Sequence, residues 1–357
     1  MSPAMFDELK IDELGVDELK VAELLRRVGR NSTIQNIRPL KQGGNNRSWQ
    51  IVTSDDCYAL KQYFRHAGDQ RNRLKAEFDF AVYASAVDPD LVPQPIIQDD
   101  AAGVAIYTFI AGEPLRAEQI GAVEVEAAAH FFSALNASEC LRAANELPTA
   151  SEACFSIEAH LNLIGQRIEA LSAALQGADD ITARDFVRAL EQRWYAMKNE
   201  VRDSATRNGL SLAEELPIAQ RCVSPSDFGF HNALRDAAGK LRFLDFEYAG
   251  WDDPAKMVGD FFAQLSVPVP GKFFDEFARL TLGAFSDFES LLLRAKLLRA
   301  VYQVKWCCIA LNIFLPVHLA RRRFANPGLD AAALKNAQLA KAQSIYHALV
   351  SIPHGLH

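Results

Sequence analysis

Hydrophobic periodicity changes once along this chain, at Gly112-Glu113-Pro114, and that change limits the folds open to it. Before it, short runs rich in β-branched and aromatic residues alternate with turn signals; after it, apolar residues recur at helical spacing. Residues 33–40, 47–53 and 57–64 read as strands. Gln42-Gly43-Gly44-Asn45-Asn46 and Ser54-Asp55-Asp56 form the turns between them. A helix over about 69–87, with Leu74, Phe78, Ala81 and Val82 on its apolar face, precedes two more strands near 96–98 and 104–109. Beyond Pro114 the spacing predicts helices over 117–138, 155–176, 181–206, 271–285, 288–313 and 330–350. One irregular island, residues 223–254, interrupts them with two short strands inside it. The expected fold class is α+β in two lobes: a small antiparallel-sheet lobe over 31–111 and a larger helical lobe over 112–357. Residues 1–30, which repeat D-E-L from Asp7, Asp12 and Asp17, read as an acidic helical lead-in.

Charge and cysteine usage narrow the function classes. With 38 basic and 45 acidic side chains, a formal net charge of −7, the chain lacks the basic excess of a nucleic-acid binder. None of the six cysteines forms a C-x-x-C pair, and Cys307-Cys308 sits in an apolar run, so they read as reduced thiols. The most apolar region, 301–320, contains Lys305, Asn312, Pro316 and His318 and reads as a buried helix rather than a bilayer span. The start of the chain has no basic segment followed by an apolar one. The expectation is a cytoplasmic protein with neither nucleic acid nor membrane as partner.

The island reads VSPSDFGFHNALRDAAGKLRFLDFEYAGWDDP. Asp227 and Asn232 stand five residues apart, and Asp245 follows thirteen later in an otherwise apolar strand. A carboxylate there is costly to bury unless it is paired or metal-bound. Transfer of a phosphoryl group needs one carboxylate to orient a hydroxyl and take its proton. It also needs oxygen ligands for Mg²⁺ and rigid placement of both. Asp227 suits the first task; the amide oxygen of Asn232 and the carboxylate of Asp245 suit the second. The plainer reading is a turn-rich hairpin with its turn at 236–239. In the first lobe, Gly43-Gly44-Asn45-Asn46 offers backbone N–H groups that can approach phosphate closely, although such turns also join ordinary hairpins.

The order D-x₄-N then D-F-E resembles the aminoglycoside phosphotransferase and choline kinase superfamily, which shares the protein-kinase-like fold. Residues 243–248 look like the metal-binding segment of its choline kinase branch. The resemblance runs from about residue 40 to about 262. It implies Asp227 as catalytic base, Asn232 and Asp245 as Mg²⁺ ligands, and ATP, with GTP equally open, beneath Gly43, Gly44, Asn45 and Asn46. It gives Lys61 the α- and β-phosphates, with Glu77 as its partner rather than Asp79, which falls on the opposite helix face. Tyr107 and Phe109 fall in the hinge strand, whose backbone would bind the base. The implied partner is a small-molecule hydroxyl acceptor: a sugar, an amino alcohol or an aminoglycoside, with F-E-Y leaning toward an amino alcohol.

The sequence departs from the family pattern in places. Pro225-Ser226 stands where His-Gly is common, and Gly229 where a second histidine is common. His231 reads as a packing or hydrogen-bonding residue, since no second ligand stands at metal spacing. Met257 occupies a usual aspartate position, with Asp260 one turn on as its replacement. Residues 251–254 either line the acceptor pocket or cap the next helix. Arg321-Arg322-Arg323 reads as a solvated face. Two other functions compete. A protein kinase needs a long activation segment, yet Asp253 stands only eight positions after Asp245. A catalytically weak or dead kinase fold acting as a binding module would lack one of Lys61, Glu77, Asp227, Asn232 and Asp245, and all are present. Oligomeric state is not legible.

Overall fold

The computed structural model describes residues 17–40, 44–69, 71–176 and 180–353. Strands β1 (Ile34–Pro39), β2 (Arg47–Thr53), β3 (Cys57–Gln62), β4 (Pro95–Asp99) and β5 (Val104–Thr108) form one antiparallel sheet in the order β1-β2-β3-β5-β4. Alternation along each strand sends its two faces to different partners. Tyr58, Leu60 and Ile106 pack on Val21, Leu24 and Leu25 of helix α1 (Glu18–Arg27). Asp17 caps that helix by accepting from the Leu19 N–H at 2.9 Å. The second half of the D-E-L stretch is thus part of the first lobe's core; residues 1–16 lie outside the described residues.

The other face of the sheet carries Lys61, opposite Ala105, and Tyr107, opposite Ala59. It packs on helix α2 (Arg73–Val87) through Leu74 and Ala81. The apolar face of α2 differs from the expected one. Val82 is 51% exposed, while Arg73 and Glu77 are buried. This helix turns part of its inner side toward charged groups rather than hydrocarbon.

The second lobe is helical: α3 (Ala122–Leu135), α4 (Ile157–Leu175), α5 (Ile181–Arg207), α6 (Pro254–Ala263), α7 (Phe274–Leu282), α8 (Phe288–Leu311), α9 (Pro316–Ala325) and α10 (Ala331–His347). Helix α8 lies at its centre, against α4, α5, α6, α7 and α10. It is long and apolar enough to cross a membrane, but 72% of its most apolar window is buried inside the protein. Cys307 and Cys308 are buried with it. Helix α9 has no counterpart among the sequence expectations; three consecutive arginines in ten residues hide its periodicity.

The island holds more structure than its patterning suggests. Four three-residue strands occur at its edges and interior: β7 (Cys222–Ser224), β8 (Ala233–Arg235), β9 (Leu241–Phe243) and β10 (Gly250–Asp252). Strand β10 pairs with β7, and β8 with both β9 and β6 (Glu113–Pro114) at the junction of the lobes. Strands this short show no measurable period, so two of them escape a reading by alternation. What fixes the island is aromatic burial. Phe228, Phe230, Phe243 and Phe246 are all buried. Phe243 stacks on Phe131 of α3 at 4.4 Å, Phe228 meets Phe261 of α6 at 5.2 Å, and Phe246 meets Phe80 of α2 at 4.7 Å. Phe261 in turn stacks on Phe277 of α7 at 4.2 Å.

Phe261 therefore joins the island to two helices, and truncating it opens a cavity in the centre of that cluster. Phe261→Ala is expected to lower the unfolding free energy by about 3–5 kcal/mol, and Phe261→Leu by clearly less. Urea denaturation followed by tryptophan fluorescence measures both.

Candidate active site

Asp227 follows a constrained turn. The Asp227 N–H donates to the Pro225 carbonyl at 2.9 Å, two residues back, and Ser226 between them has φ 65°. This is a γ-turn with a left-handed central residue, which costs a non-glycine side chain on the order of 1 kcal/mol. The surroundings hold it. The Ser226 N–H donates to Ser224 Oγ at 2.9 Å, and Lys256 Nζ donates to Ser226 Oγ at 3.1 Å. Upstream, Asn136 at the end of α3 exchanges bonds with both the N–H and the carbonyl of Val223, at 2.7 and 2.9 Å. Pro225-Ser226 thus builds by strain and a lysine contact a turn that glycine would adopt freely.

Beyond the turn, Asn232 Nδ2 donates to the Asp227 carbonyl at 2.9 Å, and the Asn232 carbonyl accepts from the Leu244 N–H at 2.8 Å. With its NH₂ committed, the end of Asn232 left for a ligand is Oδ1. His231 Nε2 lies 3.3 Å from Asp227 Oδ1 and 3.0 Å from Gln264 Nε2. Burial pushes the Asp227 carboxyl up, but His231, Lys305 and Asn232 outweigh it and hold the group below its ordinary value. The glycine at 229 is part of this arrangement. A Cβ there would lie 2.9 Å from His231 Nδ1 and 2.8 Å from the Gln264 side chain. The imidazole occupies the room that a side chain at 229 would need.

Asp245 also has a positive φ, 65°. Its Oδ1 lies 2.5 Å from Lys61 Nζ, which lies 2.6 Å from Glu77 Oε2. Tyr63 donates to the same Glu77 oxygen at 2.9 Å. Burial opposes the Lys61 charge, but Asp245, Glu77 and Glu247 together hold its pKa well above the ordinary value. The acids share one ammonium unequally. Burial pushes Glu77 up more than Lys61 brings it down, and burial raises Asp245 against Lys61, with Glu247 and Asp227 adding to the rise. Asp79 lies on the outer face of α2, paired with Lys75 at 2.6 Å.

Of the glycine turn, Gly43 lies outside the described residues, and Gly44 and Asn45 line the cavity described below. The two asparagine side chains turn to Glu247: Asn45 Nδ2 donates to Oε1 at 2.6 Å and Asn46 Nδ2 to Oε2 at 2.7 Å. Asn46 also accepts from the Phe64 N–H and is buried. The Asn46 side chain is therefore a fastener of the turn, not a group open to phosphate. Arg73 completes the arrangement, 3.2 Å from Glu247 Oε1. Glu247 thus faces the glycine turn and α2.

At the expected hinge, several groups are engaged within the sheet. Strand β5 is paired on both sides, the Tyr107 hydroxyl sits 2.8 Å from that of Tyr63, and the Phe109 N–H donates to the Cys57 carbonyl at 3.1 Å. Tyr107 works behind Glu77, and Phe109 has no free N–H for a base; Ile110 and Ala111 are the first residues past the sheet outside any ladder. Asp253 caps α6 by accepting from the Ala255 N–H at 2.7 Å and is held by Arg294 and His160, so residues 251–254 serve structure. Asp260 is bound to Lys305 at 2.9 Å and to Trp306 Nε1 at 2.8 Å. Glu247, Ser226 and Lys256 are structural residues that spacing alone does not reveal; a charge among apolar neighbours marks Glu247 and Lys256, and no such signal marks Ser226.

Asp227, Asn232, Asp245 and Gly44 open on one cavity of about 1000 Å³ between the lobes. Its far wall comes from α4, α8 and α9, with Gln166, Trp306 and His318 among its residues.

A model of a phosphotransferase enzyme family matches residues 36–292. The chain belongs to that phosphotransferase family. Solved structures share the protein-kinase-like fold at low identity. A choline kinase from Cryptosporidium parvum Iowa II is 12% identical with TM-score 0.59, covering 93% of this chain and 96% of that one. A choline/ethanolamine kinase family protein from Mesorhizobium loti is 17% identical with TM-score 0.57, covering 92% and 94%. A spectinomycin phosphotransferase solved with ADP and spectinomycin is 12% identical with TM-score 0.58, covering 93% and 99%. No curated protein matches the chain in sequence.

The phosphotransferase's donor set fits magnesium. Among the described residues no three His, Cys, Asp or Glu side chains cluster as a metal site. Mg²⁺ takes few protein ligands and completes its shell from phosphates and water. One free amide oxygen on Asn232 and one Asp245 carboxylate that Lys61 alone does not compensate match that requirement.

Glu247 ties the segment after β9 to the glycine turn and α2, and its side chain is fully buried. Glu247→Ala leaves Arg73 buried without this partner and is expected to cost about 3–5 kcal/mol of stability. Chemical denaturation of the two proteins at neutral pH measures the difference.

Proposed function

We propose that this phosphotransferase moves the γ-phosphoryl group of ATP to a hydroxyl of a small, uncharged polyhydroxy molecule such as a sugar. The observation that carries the reading is the meeting of Asp227, Asn232 and the Lys61-bound Asp245 on one cavity under Gly44. Lys61, fixed by Glu77, would hold the α- and β-phosphates. Asn232 and Asp245 would hold Mg²⁺, which when bound neutralises phosphate charge. Asp227, kept ionised by His231 and Asn232, would orient the acceptor hydroxyl and take its proton. Backbone groups near 110–111 suit a purine edge and favour neither ATP nor GTP.

The cavity's other carboxylates argue for an uncharged acceptor. Glu152 is paired with Arg167 at 2.5 Å and with Arg71 at 3.7 Å, Asp69 with Arg73 at 2.7 Å, and Asp260 with Lys305 at 2.9 Å. A cationic amine would find no carboxylate lining this cavity, outside the catalytic pair, that lacks a basic partner among the described residues. Strand β10 begins five residues after Asp245, which leaves no length for a peptide-docking activation segment.

Turnover with ATP and Mg²⁺ across sugars, amino alcohols and aminoglycosides tests the reading. Sugars are expected to give the highest kcat/KM, and Asp227→Asn is expected to lower kcat by about 10²–10⁴-fold with binding largely kept. Equal turnover by Asp227→Asn would remove the base assignment. Turnover confined to amino alcohols would overturn the acceptor class.

A further inference from the structure

Arg321 is buried and Arg323 exposed; Arg322, though exposed, lines the cavity between the lobes. Helix α9 follows the core helix α8 in sequence, yet it packs across the cleft onto the first lobe. Arg47 Nε donates to the Phe324 carbonyl at 2.7 Å, and its guanidinium lies over the Phe324 ring at 4.6 Å. Phe324 meets Phe64 with ring centroids 5.5 Å apart. Arg321, buried, reaches Asp69 at 3.3 Å and the Tyr248 hydroxyl at 3.4 Å. These contacts fix the helix on either side of Arg322 and aim that side chain at the glycine turn.

The guanidinium fills the space that a side chain at position 44 would occupy. A Cβ on Gly44 would lie 1.4 Å from Arg322 Nη1 and 2.4 Å from Cζ. Arg322 lines the same cavity as Asp227, Asn232 and Asp245, and Asp227, Tyr248 and Glu247 act on its charge. It has no hydrogen-bond or ion-pair partner among the described residues. Elsewhere on this cavity Arg71, Arg167, Arg321 and Lys305 all have acidic partners. An unpaired cation held between the glycine turn and the catalytic base suits an anion that enters with the substrate. A planar guanidinium matches phosphoryl oxygens with two parallel donors.

We propose that Arg322 binds the terminal phosphoryl group of the nucleotide and stabilises it during transfer, an arginine supplied in cis from the carboxy-terminal helices. The inference rests on the nucleotide-dependent reading above. In the step it serves, the acceptor oxygen forms a bond to the γ-phosphorus as the bond from that phosphorus to the β,γ-bridging oxygen breaks. The bond's electron pair leaves on the diphosphate, and the hydroxyl proton passes to Asp227. Arg322 gives up no proton; its N–H groups hold the non-bridging oxygens, where charge is spread in the transition state.

The test compares binding of a non-hydrolysable ATP analogue and of ADP, each with Mg²⁺, by calorimetry on the full chain. The wild type is expected to bind the triphosphate more tightly than the diphosphate. Arg322→Gln is expected to weaken triphosphate binding by about tenfold to a hundredfold and to leave ADP binding unchanged. Arg322→Lys should fall between them, and Arg323→Gln, with the same charge change on an exposed neighbour, should behave as wild type. Thermal melting of each variant checks that it is folded. Unchanged triphosphate binding in Arg322→Gln overturns the proposal. So does equal weakening of both nucleotides, the mark of a structural role, or tightening of both, the mark of a plug displaced by nucleotide. If the wild type binds neither nucleotide, the nucleotide-dependent reading falls, and this proposal with it.

Discussion

One ammonium group joins the two halves of this molecule. Lys61 comes from the sheet, Glu77 from the helix behind it, and Asp245 from the helical lobe, and both carboxylates lie within 2.6 Å of the same nitrogen. In a buried setting such an arrangement contributes position more than stability, because removing any partner leaves a charge without its counterpart. The alternation of β3, the register of α2 and the left-handed residue at 245 can be understood as what it takes to bring three charges to one point. Glu247 repeats the pattern nearby with Arg73 and two asparagines. The lobes are thus held by charge on the cleft side and by Phe80 against Phe246 behind it.

Much of this was legible in the sequence, and the legible parts share a physical reason. Strands of five to seven residues and helices of ten or more repeat their pattern enough to be read, so the sheet and most helices stand where periodicity puts them. Lys61 and Asp245 stood out as charges in apolar runs, Asp227 and Asn232 by their spacing to Asp245, and Glu77 through the family resemblance. What escaped reading depends on partners distant in sequence. The short island strands pair with segments such as 113–114, the face of α2 is set by Lys61 and Glu247, and α9 is an arginine-rich helix whose environment lies on the other lobe. At Tyr107 and Phe109 the limit is simpler: whether a backbone N–H is free is a matter of register, which composition does not encode.

The turn before Asp227 is strained and held by its neighbours. Serine sits at a positive φ held by a buried lysine, and a glycine at 229 makes room for the imidazole at 231. Residues departing from the family's pattern therefore compensate one another in space. Lys256 also lies 2.5 Å from Asp252 and 3.5 Å from Asp260, so the turn is tied to the same buried charges that anchor α6 and α8. The shape of this turn and the packing of the core are not separable at this point of the chain.

Helix α9 gives the protein an order of assembly. The bond from Arg47 to Phe324 spans 277 residues, and the contacts of Arg321 with Asp69 span 252. During synthesis the sheet can form early from local pairings, but the wall of the cleft beneath its glycine turn does not exist until α9 has left the ribosome. A growing chain of this protein would pass through a long interval with a folded first lobe and no closed site. The cleft is complete only when α9 is in place.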